Sequence, residues 1–348
     1  MTEKNIAEHS YLYADKSEFL NWLRQKSTQC QIYAPDFSGY LRAFSEKDIS
    51  GINFAPCRFI DPLKPLFFPA RGNLGSPFIS ETESSQELSP RILIGARSCD
   101  LSALEILDYV FLGGDYKDES YQLRRDKTYL ISLDCTEPYE SCFCLGLGGE
   151  VYPEKGFDLN LSLLNDGILI EIGSEKGKEL VKDSGFRSAS SEQVKEREEK
   201  RKAVHQKLEQ SLKEKGYDFR NKDLKILIET SAENPLWLKL AEDCVECAGC
   251  NFICPTCHCF ILSDWEAREG FVRFQSWDSC QYKNFSRVAG GANPRRFRYQ
   301  RLRNRYEKKF SFFIYELSRY ACVGCGRCVE ACGGGIDIRE VLKELSGG

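Results

Sequence analysis

The pattern of apolar and polar residues in the first half of the chain predicts short strands that alternate with helices. Residues 91–96 and 129–133 are apolar runs typical of buried strands, and residues 103–111 between them have helical spacing. A hairpin is predicted at 157–173, where an Asp-Gly dipeptide separates two alternating segments. Strand, helix and strand in this order predict an α/β sheet.

Other segments before this unit have weaker patterns. Residues 17–26 have the apolar spacing of a helix, and residues 30–35 resemble a short strand that ends at proline. Residues 62–69 are loop-rich and unusually apolar, so we expect them to pack against another surface, for which a neighbouring subunit is one candidate. Residues 80–90 are polar and are predicted to form a linker or a long turn.

The second half begins with a densely charged stretch. Residues 192–215 have few apolar positions and predict a solvated helix at a domain boundary. The chain has 348 residues, so two or three domains are expected. We predict an α+β protein: an N-terminal α/β domain at 1–190, a charged helical connector at 191–232, and a C-terminal α-helical two-[4Fe–4S] ferredoxin-like domain with a long insert at 233–348.

Cysteine is the outlier in the composition, with 17 residues, and eight of them lie in two runs of identical spacing. Each run is C-x2-C-x2-C-x3-C, the spacing by which bacterial ferredoxins hold [4Fe–4S] clusters. In such proteins the fourth cysteine of a run binds the cluster of the other run. The spacing therefore predicts that cluster I is bound by Cys244, Cys247, Cys250 and Cys332, and cluster II by Cys322, Cys325, Cys328 and Cys254. Zinc is the usual alternative for paired C-x2-C spacings, and disulfides are typical of small secreted domains.

Further cysteines follow the two predicted strands of the α/β sheet. Ligands of such sheets lie at the carboxyl ends of strands, so these cysteines are candidates for a third cluster. The candidate set is Cys99, Cys135, Cys142 and Cys144. A competing set in the insert between the two runs is Cys257, Cys259 and Cys280. The alternative for both sets is that they are buried thiols without a metal.

Composition excludes several classes of protein. The net charge of −4 gives no global bias toward nucleic acid or membranes, and three histidines argue against a histidine-based metal site or catalytic mechanism. No stretch approaches the roughly 18–20 apolar residues that span a bilayer, so no direct membrane insertion is expected. The chain shows no secretory signal, and its cysteine content fits a reducing cytoplasm. No dinucleotide fingerprint is found, so neither flavin nor NAD is expected on this chain.

The segment 287–309 is strongly basic and is interleaved with aromatic residues. This combination can bind single-stranded nucleic acid. The favoured interpretation is that the cations offset the negative charge of thiolate-ligated clusters, or that they bind an acidic partner. We take Arg301 and Arg303 as the residues that would carry such docking.

Fully thiolate-ligated cubanes have no open iron, so the two runs predict electron transfer and not substrate binding. The chain resembles the family of dicluster iron–sulfur subunits that includes the β subunit of sulfhydrogenase and the corresponding iron–sulfur subunit of anaerobic sulfite reductase. The resemblance covers roughly residues 60–345 and is carried by Ala-Arg-Ser-Cys99-Asp100, Asp134-Cys135 with Cys142-Phe-Cys144, Cys254-Pro-Thr-Cys257-His-Cys259-Phe, and Trp277-Asp-Ser-Cys280. One departure is that Gly333, and not proline, follows Cys332.

The resemblance implies a soluble, cytoplasmic electron-transfer subunit of an anaerobic oxidoreductase complex. It implies two partners, one that binds flavin/NAD(P) and one that is catalytic, either a hydrogenase or a sulfite or sulfur reductase. Nucleic acid is not an expected partner. The alternatives are a redox enzyme in its own right, with a flavin or third cluster in the α/β domain, and a nucleic-acid-binding iron–sulfur protein that uses the basic segment.

Overall fold

A computed structural model describes residues 11–55, 57–74, 88–267 and 270–347 of the chain. The strands are β1 (Tyr11–Ala14), β2 (Gln31–Pro35), β3 (Leu41–Phe44), β4 (Arg71–Asn73), β5 (Arg91–Ala96), β6 (Thr128–Leu133), β7 (Leu159–Leu163), β8 (Ile168–Ile172), β9 (Arg187–Ser188), β10 (Phe260–Ala267) and β11 (Gly270–Trp277). The helices are α1 (Lys16–Lys26), α2 (Lys64–Phe67), α3 (Ser98–Leu112), α4 (Glu119–Asp126), α5 (Glu175–Val181), α6 (Ser191–Lys215), α7 (Leu224–Thr230), α8 (Leu236–Asp243), α9 (Gly249–Phe252), α10 (Arg298–Glu307), α11 (Ile314–Leu317), α12 (Arg327–Glu330) and α13 (Ile338–Leu345). Short 3-10 turns lie at Glu46–Gly51 and Leu145–Leu147, and a π-helical turn lies at Lys308–Phe312.

The N-terminal half is built on one mixed sheet. In the part of the chain that the structure describes, this sheet has eight strands in the order β3-β2-β5-β6-β7-β8-β1-β9. Strands β2, β5, β6 and β7 run parallel, and the pairs toward both edges are antiparallel. Every residue of β5 is buried, as expected for a central parallel strand covered on both faces. The predicted strand–helix–strand unit is confirmed as β5-α3-β6, and the predicted hairpin is confirmed as β7-β8.

The apolar segment at 62–69 packs inside the chain. Leu63, Phe67 and Phe68 are buried in the same core as Phe111 on α3, and the rings of Phe68 and Phe111 lie 4.8 Å apart. The expected packing of this segment is confirmed, and the surface that it covers is α3 of the same chain and not the neighbouring subunit named as one candidate. The predicted linker at 80–90 lies, apart from residues 88–90, outside the described residues.

Helix α6 confirms the predicted charged helix, but one of its faces is buried and not solvated. Arg201 forms an ion pair with Asp134 at the end of β6, at 2.7 Å. Further along the helix, Leu208 belongs to a core that also contains Phe143 from the N-terminal half and Trp237 from the C-terminal half. The domain limits near 190 and 232 remain a prediction, and this core extends across both of them.

The C-terminal half is helical, except for the hairpin β10-β11 in the insert between the two cysteine runs. This hairpin pairs Phe260 with Trp277 at its base, and β4 joins it as the third strand of a small sheet. The N-terminal half therefore contributes one strand to the insert. Within the described ranges, no helix combines the length and the apolar character needed to cross a bilayer.

Candidate iron–sulfur centres

The two cysteine runs adopt the same backbone turn. In the first run Glu246 and Ala248, on either side of the second cysteine, have φ angles of 55° and 60°. The equivalent residues of the second run are Gly324 and Gly326, with φ angles of 65° and 75°. Positive φ is uncommon for residues other than glycine, so the first run reproduces this shape against its local preference. A short helix follows each turn, α9 in the first run and α12 in the second.

The ligand set predicted for cluster I lines a single cavity. The walls of this cavity include Cys244, Cys247, Cys250 and Cys332, so the last cysteine of the second run reaches the first run. The backbone N–H of Ile336 donates to Cys332 Sγ at 3.2 Å. Hydrogen bonds of this kind to ligand sulfurs are one means by which a protein adjusts the potential of a cluster.

The ligand set predicted for cluster II is also brought together. Cys254, the last cysteine of the first run, interacts electrostatically with both Cys322 and Cys328, and Cys325 is next to Cys328. Burial raises the pKa of the Cys322 thiol, and the neighbouring Cys328 raises it further. Each fourth cysteine therefore lies beside the three cysteines of the other run, which is the arrangement that the ferredoxin spacing predicts.

Two cations of the basic segment point into the space between the runs. Arg305 and Lys309 are 4% exposed. Burial alone would lower the pKa of Arg305, but the nearby Cys250 and Cys328 thiols raise it well above its usual value. Burial likewise opposes the charge of Lys309, while Cys254 and Cys257 raise its pKa. These positions suit the predicted offset of cluster charge.

Arg301 does not have the role expected for a docking residue. Its side chain is buried and forms an ion pair with Glu246 in the first cysteine turn. Its Nε also donates to the carbonyl oxygen of Gln281 at 3.0 Å. The docking prediction is therefore wrong for Arg301, because the guanidinium group holds the first turn in place and has no exposed face.

A third group of cysteines forms in the N-terminal half, and it includes Cys57, which the sequence prediction missed. The thiols of Cys135 and Cys142 hydrogen-bond to Cys57 Sγ and lower the pKa of Cys57 far below its usual value. The other two predicted members, Cys99 and Cys144, interact electrostatically with this group. The group therefore contains five cysteines, and all four that were predicted belong to it.

The segment that carries Cys57 is held against the second cysteine run. Arg58 Nε donates to the carbonyl oxygen of Cys325 at 2.7 Å, and its guanidinium group forms an ion pair with Glu330 at 2.7 Å. In return, Arg327 Nε donates to the carbonyl oxygen of Phe59 at 3.1 Å. Cys57 has no cysteine neighbour in sequence, so no spacing motif could have revealed it. The only available signal was that Arg58 follows it at the start of an apolar, loop-rich segment.

The third group lies directly against the turn of the second run. The N–H of Phe143 donates to the carbonyl oxygen of Gly324 at 2.8 Å. Asp100 and Arg327, both buried, form an ion pair at 2.9 Å. Cys99 and Asp100, predicted to lie in a turn, form the start of α3, and a charge pair that is shielded from water joins this helix end to the second cysteine run.

The competing cysteines of the insert occupy a separate place. Cys259 and Cys280 are hydrogen-bonded thiols, and Cys257 is hydrogen-bonded to Cys254. The two sets that were expected to compete for one cluster are thus kept apart by the fold. Over the described ranges, no three His, Cys, Asp or Glu side chains are close enough to hold a single metal ion. A cubane places its thiolates on separate iron corners and so needs a wider arrangement.

Comparison with known proteins agrees with this arrangement. The family described as 4Fe-4S dicluster domain matches residues 243–336, which contain both cysteine runs. Subunit β of the F420-dependent formate dehydrogenase 1 of Methanococcus maripaludis is 32% identical over 93 residues, which are 26% of this chain and 22% of that protein. No solved structure matches the chain.

A second relative matches nearly the whole chain. Sulfhydrogenase 2 subunit beta of Pyrococcus furiosus is 33% identical over 338 residues, which cover 95% of this chain and 96% of the relative. The match therefore includes both the sheet domain with its five cysteines and the two cysteine runs. This chain belongs to the family of the sulfhydrogenase β subunits.

Proposed function

We propose that the chain is an iron–sulfur electron-transfer subunit of an oxidoreductase complex. The observation that carries the proposal is the exchange of Cys254 and Cys332 between two turns of identical shape, because it gives each turn four thiols. A [4Fe–4S] cluster held by four thiolates exchanges single electrons. The match to the dicluster family over 243–336 supports the same function.

We assign cluster I to Cys244, Cys247, Cys250 and Cys332, and cluster II to Cys322, Cys325, Cys328 and Cys254. A third cluster is assigned to Cys57, Cys135 and Cys142, and Cys99 or Cys144 supplies the fourth thiolate. The close approach of Gly324 to the Phe143 backbone supports an electron path between cluster II and the third site, because it leaves no intervening layer of side chains.

The chain's own residues hold the charge and exclude water. Arg305 and Lys309 offset the negative charge of the thiolates, and their burial makes each cation more effective than an exposed one. Arg327 and Asp100 fix the second turn relative to the sheet domain. Aromatic residues such as Tyr306 and Phe310 pack behind the turns and keep solvent out.

The relatives are named as subunits of a sulfhydrogenase and a formate dehydrogenase, so we infer that this chain also works in a complex. We propose that one partner binds flavin or NAD(P), and that the other is a catalytic subunit, either a hydrogenase or a sulfite or sulfur reductase. Electrons would enter from one partner and leave to the other through the clusters.

The hairpin β10-β11 is the surface that we assign to a partner subunit. It exposes the large apolar side chains Phe260, Ile261, Leu262, Trp265 and Phe271. Consecutive residues of β10 point to opposite faces, so both faces of the ribbon expose apolar area. Beyond residues 274–276, where β4 pairs with β11, the hairpin is a two-stranded ribbon without a core of its own, and an apolar patch of this kind marks a protein interface.

The function is tested on the native complex, purified without oxygen. We expect the chain to co-purify with two partners, one that contains flavin and one that carries the catalytic centre. Cys250→Ser should abolish electron transfer from flavin to the catalytic centre, while each partner keeps its own reaction with artificial electron carriers. Cys30→Ser, at a partly buried cysteine that packs against the sheet core, is the matched control. Electron transfer that persists at the wild-type rate in the Cys250→Ser complex would contradict the proposal.

The docking surface is tested separately with Trp265→Ser combined with Ile261→Ser. This variant should lose partner subunits during purification and keep its iron. Tyr116→Ser, at an exposed tyrosine between α3 and α4, is the control. An intact complex with the doubly substituted hairpin would show that the partner binds elsewhere.

A further inference from the structure

Three cysteines at the base of the hairpin, Cys257, Cys259 and Cys280, are here called the hairpin thiols. The ladder of β10 and β11 brings two of them together. It continues past the strand ends, where the N–H of Asp278 donates to the carbonyl oxygen of Cys259 at 2.9 Å. Cys280 follows two residues later, and its thiol contacts that of Cys259. The strand pairing therefore holds these two thiols at a fixed separation.

Cys257 joins the hairpin thiols from the end of the first cysteine run. Its thiol contacts that of Cys254, and both interact with the ammonium group of Lys64. Lys64 also interacts with Cys259, so a single cation faces both cysteines of the Cys257-His-Cys259 segment. Asn251 Nδ2 donates to Cys280 Sγ at 3.2 Å, which gives the third thiol a polar partner as well.

The cations around the hairpin thiols lack an anion. Lys64 is 2% exposed, and its Nζ donates to the carbonyl oxygens of Asn251 and Cys257 at 3.1 and 3.2 Å. Lys309 is 4% exposed and donates to the hydroxyl of Thr256 and to a backbone carbonyl. In the part of the chain that the structure describes, neither ammonium group forms an ion pair with a carboxylate.

A buried ammonium group without an opposite charge is strongly unfavourable. A third lysine, Lys308, donates to Cys259 Sγ at 3.8 Å, so every cation here faces sulfur. Cluster II accounts for one of these lysines, since Lys309 interacts with Cys254 and Cys322. Lys64 interacts with Cys257 most strongly, then with Cys254 of cluster II, and also with Cys259. Cys257 and Cys259 are not ligands of any cluster assigned above.

We propose that the hairpin thiols hold a further iron–sulfur cluster, distinct from the three assigned above. Cys257, Cys259 and Cys280 lose their protons to solvent as three iron–sulfur bonds form, and the anionic cluster supplies the charge that Lys64 and Lys308 lack. A cubane bound in this way has three cysteine ligands and one iron corner without a cysteine. The cluster lies at the base of the exposed hairpin, next to Cys254 of cluster II.

The wild-type chain provides the first test. Purified without oxygen and fully loaded, it should contain about 16 irons and as many acid-labile sulfides per chain, since each [4Fe–4S] cluster contributes about four. About 12 irons would mean that one of the four groups carries no cluster. A content of about 12 irons that the hairpin variant below leaves unchanged would overturn the proposal, because the empty group would then be the hairpin thiols.

Cys259→Ser combined with Cys280→Ser should lower the iron content by about four per chain. Cys142→Ser should cause an equal and separate loss from the third site, and Cys30→Ser should change nothing. A hairpin variant that remains folded, by circular dichroism, and retains all of the wild-type iron would overturn the proposal. A Cys259–Cys280 disulfide in the native protein, found by mass spectrometry after alkylation, would overturn it as well.

Replacement of the cation provides an independent measurement. Lys64→Met should shift the reduction midpoint of one cluster to lower potential and leave the thiols intact. When Lys64→Met is made in the Cys259→Ser/Cys280→Ser protein, that shift should be absent, and only the smaller effect of Lys64 on cluster II through Cys254 should remain. Identical potentials in the wild-type and Lys64→Met proteins would contradict the proposal, while loss of the dicluster signals themselves would contradict the function proposed above.

Discussion

The two cysteine turns have the same backbone conformation, but the first is partly exposed and the second is closely packed. The first turn has Glu246 and Ala248 at its left-handed positions and keeps Cys247 exposed. The second has Gly324 and Gly326 at those positions, because it is pressed against the sheet domain. A Cβ atom on Gly324 would lie 2.5 Å from Cys144 Cα, a distance that no packed protein tolerates.

This comparison distinguishes the backbone conformation that both cysteine runs adopt from the close packing that the sheet domain imposes on the second run alone. The spacing of the cysteines imposes the left-handed turn, and the first run accepts its conformational cost without glycine. Glu246 offsets part of that cost, since it forms ion pairs with Arg298 and Arg301. In the second run glycine is needed for close packing as well, because this turn lies against Ser141, Phe143 and Cys144 of the N-terminal half.

The largest expected effect comes from breaking the exchange of ligands between the runs. Cys332→Ser should remove about four irons, and adding Cys250→Ser should remove no more, because both serve one cluster. Cys332→Ser with Cys322→Ser should remove about eight, because they serve different clusters. The measurement is iron and sulfide per chain. The reverse pattern would mean that each run binds its own cluster with all four of its cysteines.

Cluster loss should also unfold the C-terminal half, because Cys254 and Cys332 tie together segments that are distant in sequence. Removal of iron by a chelator should expose residues 233–348 to proteolysis before the sheet domain. Equal protease resistance with and without iron would show that the helices hold this half together by themselves.

The next largest effect is expected at the packed turn. Gly324→Ala should destabilise the protein by about 3 kcal/mol or more, because the new methyl group meets backbone atoms that cannot move aside. Gly290→Ala is the control, since a Cβ atom there has no neighbour within 4 Å. The thermal midpoint of the iron-loaded protein measures both. Equal thermal midpoints for the Gly324→Ala and Gly290→Ala proteins would mean that the second turn does not pack closely against the sheet domain.

A smaller effect should follow from removal of a single buried cation. Lys309→Met should lower the reduction potential of cluster II by on the order of 100 mV, because the oxidised cluster carries less negative charge and loses less from the missing cation. Lys178→Met, on the exposed face of α5, should leave the potentials unchanged. Redox titration followed by electron paramagnetic resonance measures the shift. A rise in potential would contradict the assigned role of Lys309.

The smallest effect is expected at the first turn, and it has the opposite sign. Ala248→Gly should stabilise the protein by about 0.5 kcal/mol, because the relief of left-handed strain exceeds the added freedom of the unfolded chain. The thermal midpoint should rise by about 1 °C. A fall of several degrees would mean that the Ala248 methyl group contributes packing that outweighs its backbone strain.

The local patterns predicted much of this protein. The buried strand of residues 91–96, the helix after it and the hairpin at 157–173 follow from short-range periodicity and form as predicted. The spacing of the two cysteine runs predicts eight ligands and their exchange, and the fold brings the cysteines of each predicted set close together. These features depend on residues that are close in sequence, or on a motif whose geometry is repeated across proteins.

Other features depend on contacts between distant segments, and only the tertiary structure decided them. Cys57 joins the third group because Arg58 and Arg327 hold its loop against a turn nearly 270 positions away. Arg301 turns inward although it lies in a basic stretch that suggested a docking surface. The cysteine spacing thus determined by itself that the chain builds ferredoxin-type turns. The packing of the sheet domain and the hairpin against those turns decided which of the remaining thiols come together, because their approach depends on buried charges and backbone contacts that no local pattern encodes.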